Sequence, residues 1–357
     1  MFENKETTNI SELGEFGLIE HLTNKFTVKK PETKLSIGDD AAVLETTGKQ
    51  QVISTDMFVE NIHFDMMYSP LLHIGYKCIS SSISDICAMN ARATQVLVSI
   101  AMSSKYTLQA AEELYTGIRA ACEKYDVELI GGDTTSSTIG MCISITVIGY
   151  ADEKTIVKRS GAKEGDLLCV SGDLGGAYMG LQILEREKQV FLANKEMKPD
   201  LEGKDYIVGR QLRPEARKDI IDLFEELGIQ PSSMIDVSDG VSSEVFHLCK
   251  HSNVGMKVYE DKLPIDQQTY DTAIEFNLAP TTCAMNGGED YELLFTIPQA
   301  DYDKIKNSMD ISIIGYCTAA HEGKELITKS GNVVPLEAQG WENFRLSATT
   351  EQNPKED

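Results

Sequence analysis

The sequence predicts a two-domain α/β (α+β) protein in which each domain packs helices on one face of a β-sheet. In both halves of the chain, apolar β-rich runs are mixed with segments of helical periodicity. A charged, turn-rich stretch at 151–166 separates the halves, and its position predicts domains at 12–150 and 151–345. A chain of 357 residues is long enough for two such domains. The polar residues 346–357 predict a disordered tail.

The N-terminal half contains four strand-like runs and two segments with the apolar period of a helix. The predicted strands are 51–56, 94–103, 127–132 and 141–151. The predicted helices are 71–90 and 108–125. The second helix follows Thr107, a residue type that favours the N-cap position.

The C-terminal half continues with the same mixture of elements. The predicted strands are 166–173, 291–297 and 311–317. The predicted helices are 177–188, 214–228 and 241–252, with a polar insertion at 189–205.

Charge and cysteine usage limit the possible partners and the cellular compartment. The chain has 33 Lys and Arg against 56 Asp and Glu, a formal net charge of −23. This charge repels nucleic acid and anionic lipid, so a phosphate site would need local arginine, lysine or bound metal. Eight scattered cysteines without a CxxC pair are typical of a reducing compartment. No apolar run reaches the length of a membrane span and the N-terminus lacks a signal-peptide pattern, so a cytoplasmic location is predicted.

Six short acidic motifs lie at the ends of predicted elements. They are IGDD (37–40), ISTD (53–56), ISDIC (83–87), IGGDTT (130–135), IDVSDG (235–240) and GGEDYE (287–292). Each one alone is more often a turn or a helix cap, and Ser238 or Asp239 is a plausible cap for the helix that follows. Their repetition favours a composite site, because hard cations such as Mg²⁺ take carboxylate and carbonyl oxygens as ligands.

The glycine-rich segment 171–181 and the pair His247 and His251 have structural interpretations. The segment matches neither the dinucleotide-binding nor the P-loop pattern, and a tight turn with close helix packing is favoured. The two histidines are four residues apart but lack the glutamate of the H-E-x-x-H zinc motif. We therefore predict helix-surface or packing roles for them.

Three further residues have two open interpretations each. His63 follows an acidic motif and is either a packed histidine or a site residue. Arg159 is either an exposed basic residue or a phosphate ligand. Trp341, the only tryptophan, is either a plug on the core or a flat wall for a ring-shaped ligand.

The ordered set of motifs resembles the thiamine-monophosphate kinase family over residues 12–345. The motifs that carry the resemblance are GEFGLI, IGDDAAV, ISTDMFVENIHF, SDICAMNA, LIGGDTT, KRSGAKEGD, LRPEAR, IDVSDG, GGEDYEL and QGWENF. Single motifs such as IGDD are shared with aminoimidazole ribonucleotide synthetase, selenophosphate synthetase and the carbamoyl dehydratase of hydrogenase maturation. The combination of ISTDMFVENIHF, GGEDYEL and a terminal GW-x-x-F is similar to the kinases specifically.

The resemblance implies an aminoimidazole ribonucleotide synthetase-like fold and a homodimer. In such a dimer the N-domain sheets of two subunits close a barrel, the C-domain is an α/β sandwich, and ATP lies between the domains. The implied reaction phosphorylates thiamine monophosphate with ATP, giving ADP and thiamine diphosphate, the last step of thiamine diphosphate biosynthesis. Several Mg²⁺ ions would assist direct in-line transfer.

The resemblance also implies roles for individual residues. The implied metal ligands are Asp40, Ser54, Thr55, Asp56, Asp85, Asp133, Asp236 and Asp239, and the implied catalytic residues are Asp40, Asp56, Asp85, Asp133 and Asp239. The implied ATP contacts are Tyr115, Gly132, Asp133, Arg159 and Ser238. The implied thiamine monophosphate contacts are His63, Glu289 and Trp341.

Two other functions remain alternatives for the sequence. A formylglycinamidine ribonucleotide cyclo-ligase would use the same metals and ATP with a different acceptor. A non-enzymatic acidic metal-binding protein is the more distant alternative, because the EF-hand spacing is absent. Neighbouring side chains of an extended segment point to opposite faces, so only one of the adjacent pair Asp39 and Asp40 can face the site. The resemblance implies that it is Asp40, and Asp39 is then expected to serve the turn or to bind backbone N–H groups.

Overall fold

The computed structural model describes residues 33–35, 39–45, 48–103 and 106–338, and it contains two β-sheets with helices packed on them. The strands are β1 (Thr33–Leu35), β2 (Ala42–Glu45), β3 (Gln50–Val59), β4 (Arg92–Ser103), β5 (Glu128–Ser137), β6 (Cys142–Ala151), β7 (Leu167–Ser171), β8 (Ser233–Asp236), β9 (Val254–Tyr259), β10 (Leu293–Ile297), β11 (Ile311–Ala319), β12 (Lys324–Ile327) and β13 (Val333–Pro335). The α-helices are α1 (Leu71–Ala88), α2 (Leu108–Tyr125), α3 (Gly176–Ala193), α4 (Asp205–Leu212), α5 (Lys218–Leu227), α6 (Val241–Ser252), α7 (Gln267–Glu275), α8 (Pro280–Asn286) and α9 (Tyr302–Ile305). The predicted α/β class is confirmed.

The N-terminal sheet has six strands in the order β1-β2-β3-β6-β4-β5. β4 and β5 are parallel, and the other neighbours are antiparallel. Along β6 the side chains alternate between buried and half-buried, the period expected of a strand with one face on a core. Helix α1 packs against this sheet through β3, β4 and β6.

Helices α1 and α2 touch along their backbones at two glycines. A Cβ atom added at Gly75 would overlap the carbonyl oxygen of Leu114, and one at Gly117 would overlap that of Leu72. Only glycine permits this approach, because it has no Cβ. The close contact fixes α1, which carries Asp85 near its C-terminal end.

The C-terminal sheet has seven strands in the order β13-β12-β9-β11-β7-β10-β8. Only β9 and β12 among these neighbours are parallel. Strand β10, between β7 and β8, is buried at every residue, because apolar cores lie on both of its faces. One core continues from the N-terminal sheet to Phe224 and Phe295, whose rings meet edge to face at 4.9 Å. Helix α1 also packs against β8, so it joins the two sheets.

Most predicted elements are confirmed. The strand predicted at 127–132 is longer and continues to Ser137, and two further boundaries were wrong. The predicted helices 108–125 and 241–252 match α2 and α6, and the Thr107 side chain accepts the N–H of Ala110 as the predicted cap. The polar insertion predicted at 189–205 is shorter, because α3 continues to Ala193 and α4 begins at Asp205.

The second correction concerns the helix predicted at 214–228, which begins at Lys218. The N–H of Ala216 donates to the Tyr125 hydroxyl at 2.9 Å, and this bond holds the preceding segment outside the helix. Trp341 and the predicted tail lie outside the described residues. Within the described ranges, no helix has both the length and the apolar character needed to cross a membrane.

Candidate active site

A cavity of about 900 Å³ lies where the two sheets meet. Its walls come from β3 and the turn that follows, from α1 and α3, and from the segments after β8 and α8. Eight of the predicted site residues line it: Asp56, His63, Asp85, Arg159, Asp236, Ser238, Asp239 and Glu289. The distant motifs of the sequence therefore converge on one place.

Three aspartates from different elements form the acidic centre of the site. Asp40, Asp85 and Asp236 each place a carboxylate oxygen within 4.8 Å of the other two. Asp85 lies on α1, and Asp236 is the last residue of β8. Ser54 on β3 donates its hydroxyl to Asp85, and Ser84 donates to Asp236 at 2.7 Å. Hydroxyl donors thus orient two of the three carboxylates.

Burial and mutual repulsion raise the pKa values of these carboxyls. Burial raises the pKa of Asp85 well above its usual range, and the charges of Asp56, Asp236 and Asp40 raise it further. Burial followed by the charge of Asp40 raises the pKa of Asp236 to about 7. Burial also raises the pKa of Asp56, against a hydrogen bond from Ser82. Concentrated buried negative charge of this kind favours a bound cation.

The donor set fits a hard divalent cation such as Mg²⁺. The ligand atoms are carboxylate oxygens, the type that Mg²⁺ prefers. The Asp40 side chain is only 1% exposed, and its Oδ2 atom has no hydrogen-bond partner among the described residues. A buried carboxylate oxygen without a partner is costly, and a cation would satisfy it.

Asp39 and Asp40 have different partners, as expected. The Asp40 carboxylate forms an ion pair with the Arg159 guanidinium. Asp39 Oδ1 accepts the backbone N–H of Asp40 at 3.2 Å and that of Arg159 at 3.1 Å. Burial and the charge of Asp40 raise the pKa of Asp39 to about 6. The expectation that Asp39 binds backbone N–H groups is confirmed.

The segment after β8 is held by a glutamate that sequence reasoning missed. Glu244 Oε1 accepts the backbone N–H of Ser238 at 3.1 Å and that of Asp239 at 2.8 Å. The N-cap of α6 is Gly240, without a side-chain cap, so the cap interpretation of Ser238 and Asp239 was wrong. The signal that could have found Glu244 is its place in the first turn of α6, where a carboxylate is favoured by nearby N–H groups.

At another part of the cavity, His63 and Glu289 have fixed orientations. His63 Nδ1 accepts the Val59 N–H at 3.0 Å, so Nε2 is the ring's remaining donor. Glu289 has a positive φ of 66°, and its N–H donates to the Ser238 carbonyl at 2.7 Å. Its carboxylate contacts Lys77 and Gln211, neither of which the sequence indicated.

The structure does not bring every predicted site residue to this cavity. Thr55 is exposed, and its hydroxyl donates to the Ile145 carbonyl at 3.0 Å on the neighbouring strand. Tyr115 on α2 and the pair Gly132 and Asp133 on β5 are exposed and lie outside the cavity lining. Trp341 lies beyond the part of the chain that the structure describes.

The glycine-rich segment forms a tight turn, as predicted. Gly172 and Gly175 have positive φ values of 51° and 81°. Asp290 accepts the N–H groups of Gly175 at 2.6 Å and Ala177 at 3.2 Å, so a carboxylate of the protein occupies the start of α3. This arrangement supports the structural interpretation of the segment over direct phosphate contact.

The rings of His247 and His251 on α6 lie with their centroids 6.5 Å apart and their planes tilted by 34°, which fits the predicted packing role. Burial, followed by the charge of Arg159, lowers the pKa of His247 to about 4. The ordinary histidine pKa is about 6.5, so the unfolded chain takes up this proton first as the pH falls. Stability from neutral His247 is therefore complete above about pH 6.5 and is lost as the pH falls towards 4.

We expect His247→Gln to weaken the acid sensitivity of the fold. Between pH 7 and pH 5, urea unfolding of the variant should lose less free energy than the wild type, by at most about 1.4 kcal/mol per pH unit. His321 is exposed and provides the control. His321→Gln should leave the pH dependence of the free energy of unfolding unchanged. Parallel profiles for the wild type and His247→Gln would contradict the prediction.

Known proteins with similar sequences and folds cover nearly the whole chain. Residues 38–151 match the family described as AIR synthase related protein, N-terminal domain. The chain is 32% identical to the thiamine-monophosphate kinase of Aquifex aeolicus, over 94% of this chain and 99% of the relative. It is 31% identical to the thiamine-monophosphate kinase of Bacillus subtilis, over 93% of this chain and 100% of the relative. The structure resembles that of AaThiL complexed with AMPPCP and TMP, with a TM-score of 0.79, 29% identity, and coverage of 95% and 100% of the two chains.

Proposed function

Because the chain belongs to the thiamine-monophosphate kinase family, we propose that it transfers the γ-phosphoryl group of ATP to thiamine monophosphate. The products are ADP and thiamine diphosphate. The observation that carries the proposal is the convergence of Asp40, Asp85 and Asp236 beside a cavity large enough for two substrates. The similar AaThiL structure holds AMPPCP, an ATP analogue, together with TMP.

The acidic centre would hold Mg²⁺ through Asp40, Asp85 and Asp236. Asp56 and Asp239 lie on the cavity wall. When bound, the metal neutralises the charge of the phosphates and of the transferring group. This charge compensation is needed because both substrates and the protein are anionic. Ser54 and Ser84 hold the carboxylates of Asp85 and Asp236 in the orientation that the metal requires.

The remaining side chains position the substrates. Arg159 provides a planar guanidinium that binds phosphate oxygens. This contact replaces the ion pair between Arg159 and Asp40. The Nε2–H group of His63 is a hydrogen-bond donor for the phosphate of thiamine monophosphate. Glu289 is a carboxylate for the cationic thiazolium. The acceptor oxygen of a phosphate monoester is largely ionised near pH 7, so direct in-line transfer proceeds without a general base.

The direct test is ADP release in the presence of ATP, Mg²⁺ and thiamine monophosphate. Each component is omitted in turn, and thiamine diphosphate is identified by mass. Release should require all three components. ATP consumption only with formylglycinamidine ribonucleotide would instead favour the cyclo-ligase alternative, which no feature of the site favours over the kinase.

The proposed enzyme is a homodimer in which edge strand β5 contributes to the interface. Every residue of β5 is exposed except the last, which is half-buried, and Leu129 and Ile130 are 43% and 53% exposed. Among the described residues, β5 is the last strand of its sheet and pairs only with β4. An exposed apolar edge strand is a template for pairing with another chain. A dimer at this edge would bury Gly132 and Asp133, which remain proposed ATP contacts together with Tyr115 and Ser238.

We expect Ile130→Lys to convert the dimer to a monomer. A lysine on an edge strand blocks pairing by charge and by desolvation. Sedimentation velocity should show the wild type at twice the mass of the variant. Met309→Lys, at a site that is 99% exposed, is the matched control and should stay dimeric. A monomeric wild type would refute the interface.

The domain division at 12–150 and 151–345 remains part of the proposal, supported by the two separate sheets. A cytoplasmic location is also proposed. It is supported by eight free cysteines, seven of which are buried.

A further inference from the structure

Lys77 is a buried cation in the wall of the cavity. Its side chain is 8% exposed, although it lies among residues that line the cavity. A buried ammonium group is costly unless it is paired. Its Nζ atom lies 2.8 Å from Glu289 Oε1, and it donates to the Gln211 carbonyl at 3.1 Å. Gln211 lies in the last turn of α4, where exposed carbonyl groups favour a positive charge.

The Glu289 carboxylate is held at both oxygens. Lys77 on α1 contacts Oε1, and the Gln211 side-chain amide donates to Oε2 at 2.7 Å. Two donors from two different helices fix the plane of the carboxylate as well as its position. The backbone of Glu289 is also constrained by its positive φ and by the bond to Ser238.

The position of Lys77 on α1 shows how far the Lys77–Glu289 ion pair lies from the acidic centre. Lys77, Ser81 and Asp85 follow one another at intervals of four residues, so they share one face of α1. Eight residues of helix separate Lys77 from Asp85 by about 12 Å along the axis. The Glu289 carboxylate, paired with Lys77, therefore lies about two turns of α1 from Asp85, while its backbone bonds to Ser238.

We propose that Lys77, assisted by Gln211, is a positioning residue that fixes the Glu289 carboxylate for the acceptor substrate. This inference rests on the proposed function. Lys77 compensates part of the charge of Glu289 and holds that carboxylate in the position proposed for contact with the cationic thiazolium of the acceptor. The role is therefore in binding thiamine monophosphate rather than ATP.

The test is steady-state kinetics of Lys77→Met and Lys77→Arg. We expect Lys77→Met to raise KM for thiamine monophosphate about tenfold, with kcat and KM for ATP changed by less than about threefold. Lys77→Arg keeps the charge and should recover most of the loss. The matched control is Lys204→Met, because Lys204 pairs with Glu275 at 2.7 Å outside the cavity lining. Its kinetic constants should equal those of the wild type.

A double-mutant cycle separates positioning from a general structural effect. Glu289→Gln should raise KM for thiamine monophosphate, and adding Lys77→Met to it should change KM little further, because the two residues act as a unit. If Lys77→Met does not fold, Gln211→Leu removes one donor to Glu289 and should raise the same KM about threefold.

The outcomes distinguish this inference from the proposed function. An unchanged KM for thiamine monophosphate in Lys77→Met, or effects that add in the double variant, would overturn the positioning role alone. A wild type that releases no ADP with thiamine monophosphate would overturn the proposed function, and the inference with it.

Discussion

Asp85→Asn is expected to lower turnover at least about a thousandfold, equivalent to about 4 kcal/mol of transition-state stabilisation. Asp85 is part of the acidic centre, and the charges of Asp56, Asp236 and Asp40 act directly on its pKa. The substitution keeps an oxygen that can accept from Ser54, so the local packing is retained. It removes one negative charge from the group that would hold the metal.

The same variant should be at least as stable as the wild type when Mg²⁺ is absent. Without a cation, the clustered carboxylates repel one another, and asparagine relieves part of this repulsion. Thermal unfolding with and without Mg²⁺ measures the effect. The wild type should gain stability on adding Mg²⁺, and Asp85→Asn should gain much less.

Asp166→Asn is the matched control, because Asp166 is also buried but lies outside the acidic centre. Its carboxylate accepts from the Lys163 N–H at 2.9 Å and the Ser232 hydroxyl at 2.6 Å. This control should lose stability and keep the wild-type response to Mg²⁺. Full turnover and an unchanged Mg²⁺ response in Asp85→Asn would contradict the metal assignment.

The acidic motifs could be found in the sequence because each follows a strong local pattern. IGDD, ISDIC and IDVSDG contain Asp40, Asp85 and Asp236, and the structure brings these three together. Strand and helix periodicities set the elements that carry them, so the core of the site was predictable. The family resemblance, rather than the spacing, selected which carboxylate of each motif faces inward.

Lys77 and Glu244 could not be found in the same way. Each is one charged residue on a helix, and a charged helical residue is usually solvated. Lys77 is buried through its pair with Glu289, which lies far along the chain, and such a pair is determined by tertiary packing that a single sequence does not reveal. Glu244 contacts the N–H groups of Ser238 and Asp239 only six and five residues away, so its place in the first turn of α6 was its one local signal.

The residues of β5 illustrate a different limit. Gly132 and Asp133 belong to a clear motif, yet they lie on an exposed edge outside the cavity lining. A sequence pattern identifies the strand but not the chain that covers it. Their proposed role therefore depends on the dimer that Ile130→Lys tests.

The turn at Gly172 and the GGEDYE motif meet at a buried network of charged residues. Arg210 makes most of the contacts in this network. Arg210 Nη1 contacts Glu292 Oε1 at 2.8 Å, and Nη2 donates to the carbonyl groups of Asp173 at 3.0 Å and Asp290 at 3.2 Å. Glu292 and Asp290 are almost completely buried. Arg217 also pairs with Glu292, and the Ser171 hydroxyl donates to it at 2.5 Å. The network ties α4 to the segment that carries Glu289.

Arg210→Met is expected to lower the free energy of unfolding by about 3–5 kcal/mol, because it leaves buried carboxylates without their main cation. Burial already raises the pKa of Asp290 to about 7, and the charge of Arg210 opposes that rise. Both proteins lose stability as the pH rises from about 4 to about 7, because the folded-state pKa of Asp290 lies above its unfolded value. Without Arg210 this pKa rises further, so the additional loss of the variant relative to the wild type develops as the pH rises past about 7. Urea unfolding should therefore show a smaller loss relative to wild type at pH 5 than at pH 8. Arg186→Met is the control, because the side chains of Arg186 and its partner Glu275 are 34% and 44% exposed, and its buried partner Glu187 keeps the Asp200 N–H at 2.8 Å as a donor. This variant should cost less than about 1 kcal/mol. Equal losses in the two variants would show that the network around Arg210 is solvated and does not fix the loop of Glu289.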